Sequence, residues 1–253
     1  MHDADDSLET TVCIVGAGVS GLTCGTFTAR AGLETLLLDG GDSILRRNAH
    51  LENVPGFPAG VNARTFLDAT RESAEEAGCR IVEGRAVGTR ETDGGFVVEL
   101  EDGRTVTTTY LVAASWADAG YLPETVATDE RGSKSYVTVD EFGRTTVEGV
   151  FAAGRLAGKP HQTVVAAGHG AEVGLSVIEE SEVPFYHDWV VPEGYFTDRD
   201  RPEPPGCEEI PEVEWVERER VARERMRAML AEAHPEAPTP HPSLAPSSDG
   251  EDS

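Results

Sequence analysis

The sequence predicts an α/β fold: a Rossmann-like parallel sheet with helices on both faces and a small additional β layer, forming a single domain. Three observations predict it. A β-branched and apolar run over residues 11–16 leads straight into Gly16-Ala17-Gly18-Val19-Ser20-Gly21 and a helix-compatible stretch over residues 18–31. A second apolar run, Leu36-Leu37-Leu38, follows and closes on Asp39. Further on, Tyr110-Leu111-Val112-Ala113-Ala114 is apolar throughout, as a strand buried on both sides of a parallel sheet must be. Strand, helix and strand within about thirty residues make a βαβ unit with a right-handed crossover.

The remaining elements follow in order. Residues 1–10 read as an acidic tail, and residues 42–60 carry too many turn formers to be regular. Residues 62–77 have Phe66, Leu67, Ala69 and Ala74 spaced for one buried side, with Gly78 as the stop. Short strands are predicted over residues 80–83, 86–91, 96–101 and 105–109, the last pair joined by an Asp102-Gly103 turn. Residues 115–135 read as a loop-like connector, so the domain consists of segments 11–114 and 136–183. The second segment holds strands at 137–139 and 149–154 and a long helix over 163–180. Residues 184–211 form an aromatic and Pro-rich arm, expected to pack onto the domain or a second subunit. Residues 212–233 form a charged helix with Trp215, Ala222, Met226, Met229 and Leu230 along one stripe, which needs a surface to dock on. Residues 234–253, rich in proline and without aromatics, are predicted to be disordered.

The 253 residues cannot hold two full nucleotide-binding domains. Acidic residues number 46 against 21 basic ones, a net charge of −25 that excludes nucleic acid and anionic membrane as partners. Lys134 and Lys159 are the only lysines. Few lysines among so many carboxylates indicate a halophilic chain, whose solubility in concentrated salt rests on hydrated acids. Cys13, Cys24, Cys79 and Cys207 form no Cys-x-x-Cys pair, and no spacing cages a metal. No run approaches the ~20 apolar residues that cross a bilayer, so the expected location is cytoplasmic.

The glycine motif carries the chemistry. Gly16 permits the sharp turn, Gly18 lets a diphosphate approach the backbone, and Gly21 lets the helix pack close to the strand. The unpaired amides and positive end of that helix suit a diphosphate. Asp39, eighteen residues beyond Gly21 (39 − 21), can accept from both ribose hydroxyls. These features predict a dinucleotide site.

Beyond that motif, three blocks make residues 11–180 resemble the low-molecular-weight thioredoxin reductases, within the pyridine-nucleotide disulfide oxidoreductases. They are Glu52-Asn53-Val54-Pro55-Gly56, the strand Tyr110 to Ala114, and Gly149-Val150-Phe151-Ala152-Ala153-Gly154 followed by His161-Gln162-Thr163. The resemblance implies FAD, with the Asn53 loop on the flavin side, the turn at Gly154 against the diphosphate, and His161, Gln162 and Thr163 beside the isoalloxazine ring. It also exposes departures. Such reductases insert an NADPH-binding domain bearing the redox Cys-x-x-Cys, whereas residues 115–135 are too few for a βαβ nucleotide site. The usual Ala-Thr-Gly is Ala114-Ser115-Trp116, and the acid that follows the last glycine is Arg155. Arginine cannot accept a hydrogen bond. Arg155 either pairs bidentately with the diphosphate or marks a reshaped site.

The function expected is therefore an FAD-dependent oxidoreductase without its own NADPH domain or dithiol, fed by an external electron-donor protein or a directly bound reductant. Asn53, His161 and Gln162 would position and polarise the ring; no base or nucleophile can be named. The alternative is a non-catalytic FAD- or nucleotide-binding module, a sensor or subunit; an NAD-dependent dehydrogenase is disfavoured because no catalytic acid or base follows the Rossmann half. The resemblance and the arm point to a homodimer. His169 is expected to be structural, Cys13 and Cys24 buried and inert, and Arg46 and Arg47 solvated in preference to facing the diphosphate or a substrate.

Overall fold

The computed structural model describes residues 7–41, 43–132 and 134–244. In chain order the elements are β1 (Ser7–Val15), α1 (Val19–Arg30), β2 (Thr35–Asp39), β3 (His50–Leu51), β4 (Val61–Asn62), α2 (Ala63–Glu76), β5 (Arg80–Glu83), β6 (Ala86–Thr92), β7 (Gly95–Leu100), β8 (Thr105–Ala113), β9 (Thr128–Arg131), β10 (Lys134–Val137), β11 (Val150–Ala152), α3 (Thr163–Glu180), β12 (Trp189–Pro192), β13 (Cys207–Ile210) and α4 (Glu212–Met229).

The main sheet has the order β5-β2-β1-β8-β7-β6, with β11 also on β8. Strands β5, β2, β1, β8 and β11 are mutually parallel, and β6 and β7 are antiparallel to their neighbours. The two strands predicted over 105–109 and 110–114 are one long strand, β8. Its outer edge changes partner midway: Thr105 to Thr108 pair with β7, and Leu111 to Ala113 pair with β11. Because the parallel strands are in register, Val15 lies beside Leu38 and Ala113, and Ala113 beside Ala152. Their carboxyl ends therefore share one rim, where ligands bind in open α/β sheets.

The fold class is the one predicted, and the two faces of the sheet are covered differently. Helices α1, α2 and α3 share one core with Val12, Ile14, Leu37, Val112 and Phe151. The opposite core joins Cys13, Val15, Leu36 and Leu38 to Phe96, Val98 and Val106 of the β layer and to Tyr121, Val126 and Val137 of the connector region. The expectation of helices on both faces is thus corrected: the β layer and the connector occupy the second face.

Several boundaries move. Residues 7–10, assigned to the tail, extend β1 because β8 is long enough to pair with them, Ser7 beside Thr105 and Thr10 beside Thr108; residues 1–6 lie outside the described residues. The connector is not all loop: β9 and β10 form a hairpin within and just beyond it. Inside the arm, β12 and β13 pair in parallel, and Arg30 of α1 donates to the Asp188 carboxylate through Nε and Nη2, the latter at 2.7 Å. Phe185 packs on the helical core, while Tyr186, Trp189 and Tyr195 stay exposed.

Helix α4 buries no residue; ion pairs of Arg225 with Glu72 and Glu76 of α2, and of Arg218 with Glu208, tie it down. The tail expected to be disordered from 234 is placed as far as 244: His234 pairs with Asp68, Glu236 with Arg46, and the Thr239 amide donates to the Arg46 carbonyl. Residues 245–253 lie outside the described residues.

Truncating Phe151, 1% exposed at the centre of the helical core, to alanine is expected to cost about 3–5 kcal/mol of unfolding free energy. Trp215→Ser on α4, where the side chain is 41% exposed, is expected to cost under about 0.5 kcal/mol. Urea denaturation of the two variants checks the contrast.

Candidate functional site

The site grows from the turn after β1. Gly16 has φ +117°, and a Cβ there would lie 2.6 Å from the Ala114 carbonyl oxygen. A Cβ on Gly21 would lie 2.0 Å from the carbonyl oxygen of Gly16, so α1 can begin this close to the strand only with glycine at 21. Gly18 meets nothing within 4 Å and faces open space. It is the N-cap of α1 and no side chain caps that helix, nor does one cap α3 at Gln162. By contrast α2 is capped conventionally, Asn62 accepting from the amides of Arg64 and Thr65. The first-turn amides of α1 and α3 are donors without side-chain partners, and both helix starts border the same cavity.

That cavity, about 530 Å³, runs along the rim of strand ends. Its walls include Gly16, Gly18, Asp39, Arg155, His161, Gln162 and Thr163. A second cavity of about 340 Å³ adjoins it through His161, Gln162 and Thr163 and contains Asn53. The site residues predicted from sequence therefore converge, with two exceptions that act from behind. Gly21 packs α1 onto the turn. Gly154, at φ +66°, brings its backbone against Ser20, whose Oγ would stand 2.5 Å from an added Cβ.

Individual side chains are more engaged than the sequence suggested. Asp39 accepts from the Gly41 amide at 2.9 Å and from Arg71 Nη1 at 2.5 Å, which fixes the carboxylate while leaving further lone pairs on each oxygen. Asn53 does not stand free: its Nδ2 donates to Gln162 Oε1 at 2.9 Å, linking the loop to the start of α3. The Arg155 fork is not wholly free either. It donates through Nη2 to the Tyr136 hydroxyl at 2.5 Å and through Nη1 to the Lys159 carbonyl, with its guanidinium 5.0 Å from the Tyr136 ring centre.

His161 meets the ring of Trp116 edge-on, with centroids 4.4 Å apart. Burial, then the nearby charges of Arg155 and Lys134, lower its pKa and favour the neutral ring. His169 is structural: 3% exposed, it accepts the Gly154 amide on Nδ1 at 2.9 Å, and burial lowers its pKa to about 4. The thiols of Cys13, Cys24 and Cys79 are buried and pushed up, Cys13 and Cys79 to about 12, which leaves them unreactive.

Sequence reasoning missed Trp116 as a cavity wall, and for Arg47 it preferred solvent to the cavity. Arg46 is not solvated but paired with Asp68 and Glu236, while its neighbour Arg47 lines the cavity. Nothing in their local pattern distinguishes the two. Trp116 carried a signal, since it stands where a glycine was expected and keeps a left-handed backbone, φ 62°, that costs an ordinary residue energy. Among the described residues no cluster of His, Cys, Asp or Glu could hold a metal ion, and no helix is long and apolar enough to cross a membrane.

Comparison with known proteins agrees with this geometry. Residues 3–170 match the profile of the pyridine nucleotide-disulphide oxidoreductase family. The thioredoxin reductase of Aquifex aeolicus is 34% identical over 108 residues, 42% of this chain and 33% of that protein. That of Streptomyces coelicolor is 34% identical over 74 residues, 28% of this chain and 23% of that protein. The chain thus matches about a third or less of the length of these curated relatives. Among solved structures, a thioredoxin reductase from Gloeobacter violaceus superposes with TM-score 0.61 at 18% identity, covering 71% of this chain and 99% of that one. The oxidoreductase from Agrobacterium tumefaciens gives 0.62 at 16%, covering 68% and 98%. At such identities the structures establish a shared fold.

Two outcomes follow from the site. Gly21→Ala is expected to destabilise the protein by more than about 2 kcal/mol and Gly18→Ala by no more than about 1 kcal/mol, read from denaturant unfolding without ligand. As pH falls from 6.5 towards about 4, the unfolded chain protonates His169 while the folded chain keeps it neutral, so this group withdraws stability over that window. His169→Gln is expected to show a shallower loss of stability over the same range in paired urea titrations.

Proposed function

The chain belongs to the pyridine nucleotide-disulphide oxidoreductase family, whose members are FAD-binding flavoproteins, and from that premise we propose that it is an FAD-dependent oxidoreductase supplied with electrons from outside its own fold. The observation that carries this reading is the rim cavity itself. An uncapped helix start, a carboxylate at the end of β2 and a second uncapped helix start lie along one continuous cleft.

The residues present fit FAD. Gly18 leaves open space at the start of α1, where amides without intrahelical acceptors would hold the diphosphate, with Arg47 and Arg155 supplying countercharge. Asp39, pre-oriented by Arg71, would accept from ribose hydroxyls. Gly16 and Gly21 bring α1 to the strand, and Gly154 fixes the return of the second segment against Ser20. Asn53, His161, Gln162 and Thr163 would border the ring end of the cofactor, the Asn53–Gln162 bond keeping the loop in place and His161 offering a neutral N–H. When bound, FAD supplies the electron-accepting and electron-donating chemistry of its isoalloxazine ring. The chain contributes binding, orientation and polarity.

Electrons are proposed to come from a partner protein or from a reductant that binds directly. Two features of the sequence support this: no Cys-x-x-Cys pair occurs, and residues 115–135 stand where such reductases insert a nucleotide domain. A second reading, a flavin-binding module without turnover, draws on the engagement of Arg155 with Tyr136 and on the Trp116–His161 contact across the cleft. A homodimer and a cytoplasmic location are part of the proposal.

The purified protein is expected to take up FAD and show a flavin spectrum. At a hundredfold excess of FAD over its dissociation constant, unfolding free energy should rise by about 2.7 kcal/mol. Asp39→Ala should weaken FAD binding by roughly tenfold. A colourless protein whose melting temperature ignores FAD defeats the reading. Anaerobic bleaching by a nicotinamide dinucleotide favours an oxidoreductase with direct access; bleaching by dithionite alone favours a partner-fed or silent protein.

A further inference from the structure

The only two lysines of a chain carrying net charge −25 fall in one neighbourhood. Lys134 opens strand β10 and, with Arg155, acts electrostatically on His161. Lys159 lies on the loop after Arg155, whose guanidinium donates to its carbonyl oxygen. Arg131, across the hairpin from Lys134, completes the group. Its guanidinium is 5.3 Å from the Tyr136 ring centre and reaches Gly158, where an added Cβ would be 3.4 Å from Nη1. Two of these cations lie over the Tyr136 ring, and the two lysines sit on the hairpin and loop beside it.

Their countercharge is incomplete. Arg131 pairs with Asp129 at 2.8 Å, and Glu130 sits on the same hairpin. Lys134, Lys159 and Arg155 have no carboxylate within ion-pair distance among the described residues. Elsewhere many arginines are matched to an acid, as at Arg30, Arg71, Arg144, Arg218 and Arg225, and those that are not, such as Arg80 and Arg90, stand apart on other strands rather than gathered with a second cation. With 46 acids available, gathering cations without partners raises their mutual repulsion unless an anion sits among them.

We propose that Arg131, Lys134 and Lys159, beside Arg155, form a binding site for the phosphate groups of a small anionic ligand at the mouth of the cleft, separate from the seat of the FAD diphosphate. The separation follows from position: Arg155 lines the rim cavity, whereas Arg131, Lys134 and Lys159 line neither cavity. A small ligand fits better than an acidic protein surface, which would meet repulsion from the rest of so negative a chain. The site lies on the hairpin of the short connector, where an externally supplied reductant would arrive; only that role rests on the proposed function.

The test is calorimetric titration of the FAD-loaded full chain with inorganic pyrophosphate, NADH and NADPH at moderate and at high salt. Each phosphate-bearing probe is expected to bind, more weakly as salt rises. The Lys134→Ala/Lys159→Ala double variant should lose roughly tenfold or more in affinity, and Lys134→Arg/Lys159→Arg should stay within about twofold of the unaltered chain. Either nucleotide binding tighter than pyrophosphate by roughly tenfold supports a nucleotide's phosphates; equal affinities support free phosphate or polyphosphate as the source. The proposal is overturned if pyrophosphate and both nucleotides fail to bind, if the alanine variant binds them as before, or if an acidic carrier protein docks through these lysines and pyrophosphate cannot compete. Flavin uptake is read separately from the visible spectrum. Lysine-dependent pyrophosphate binding by a protein that takes up no FAD would sink the flavin reading alone, and normal FAD uptake without anion binding would sink this one alone.

Discussion

Everything at the rim depends on how closely three backbones approach one another. The turn at Gly16, the first turn of α1 at Ser20 and Gly21, and the second segment at Gly154 and Gly170 meet with no room for a Cβ: at Gly21 it would fall 2.0 Å from the Gly16 carbonyl, and at Gly170 2.1 Å from that of Ser20. Close backbone approach therefore joins the two segments here, in addition to the side chains of the shared helical core. The His169 imidazole reinforces the junction by accepting the Gly154 amide, and its burial keeps it in the neutral form that can accept. A cleft whose walls are set this way has little freedom to widen or slide.

The long strand β8 supplies the second constraint. Because its outer edge serves β7 at one end and β11 at the other, one strand carries both the β layer that covers the lower sheet and the strand that leads into the Gly154 turn. The two cores are thus coupled through shared strands: Val12, Ile14, Leu37 and Val112 point to the helices, and Cys13, Val15, Leu36 and Leu111 point to the β layer. This alternation is the period-two geometry of a strand, and it explains why runs that are apolar throughout are needed here.

Charge plays two distinct roles. Across most of the surface, carboxylates outnumber cations and pair with arginines, as along α4, which has no buried residue and is held by exposed ion pairs of small individual worth. At the cleft the balance reverses: two helix starts, Arg47 and Arg155 face the cavity, with lysines gathered just outside it. A negative chain that places cations without acid partners along this rim focuses anions there.

The sequence by itself determined the βαβ unit, the glycine turn, the acid at the end of β2 and the long helix α3, because each is dictated by short-range periodicity or by a backbone conformation that only glycine tolerates. It also determined that Cys13 and Cys24 would be buried, since both fall within buried elements. Only the tertiary structure decided that Arg47 faces the cavity while Arg46 turns to Asp68 and Glu236, that Arg155 rests on Tyr136, and that Asn53 binds Gln162. These partners lie from 19 positions apart, between Arg155 and Tyr136, to 190, between Arg46 and Glu236. No local pattern encodes such pairings. The same reason accounts for the extension of β1 to Ser7, which needed the far end of β8 beside it, and for the placement of residues 234–244, which needed Arg46 and Asp68.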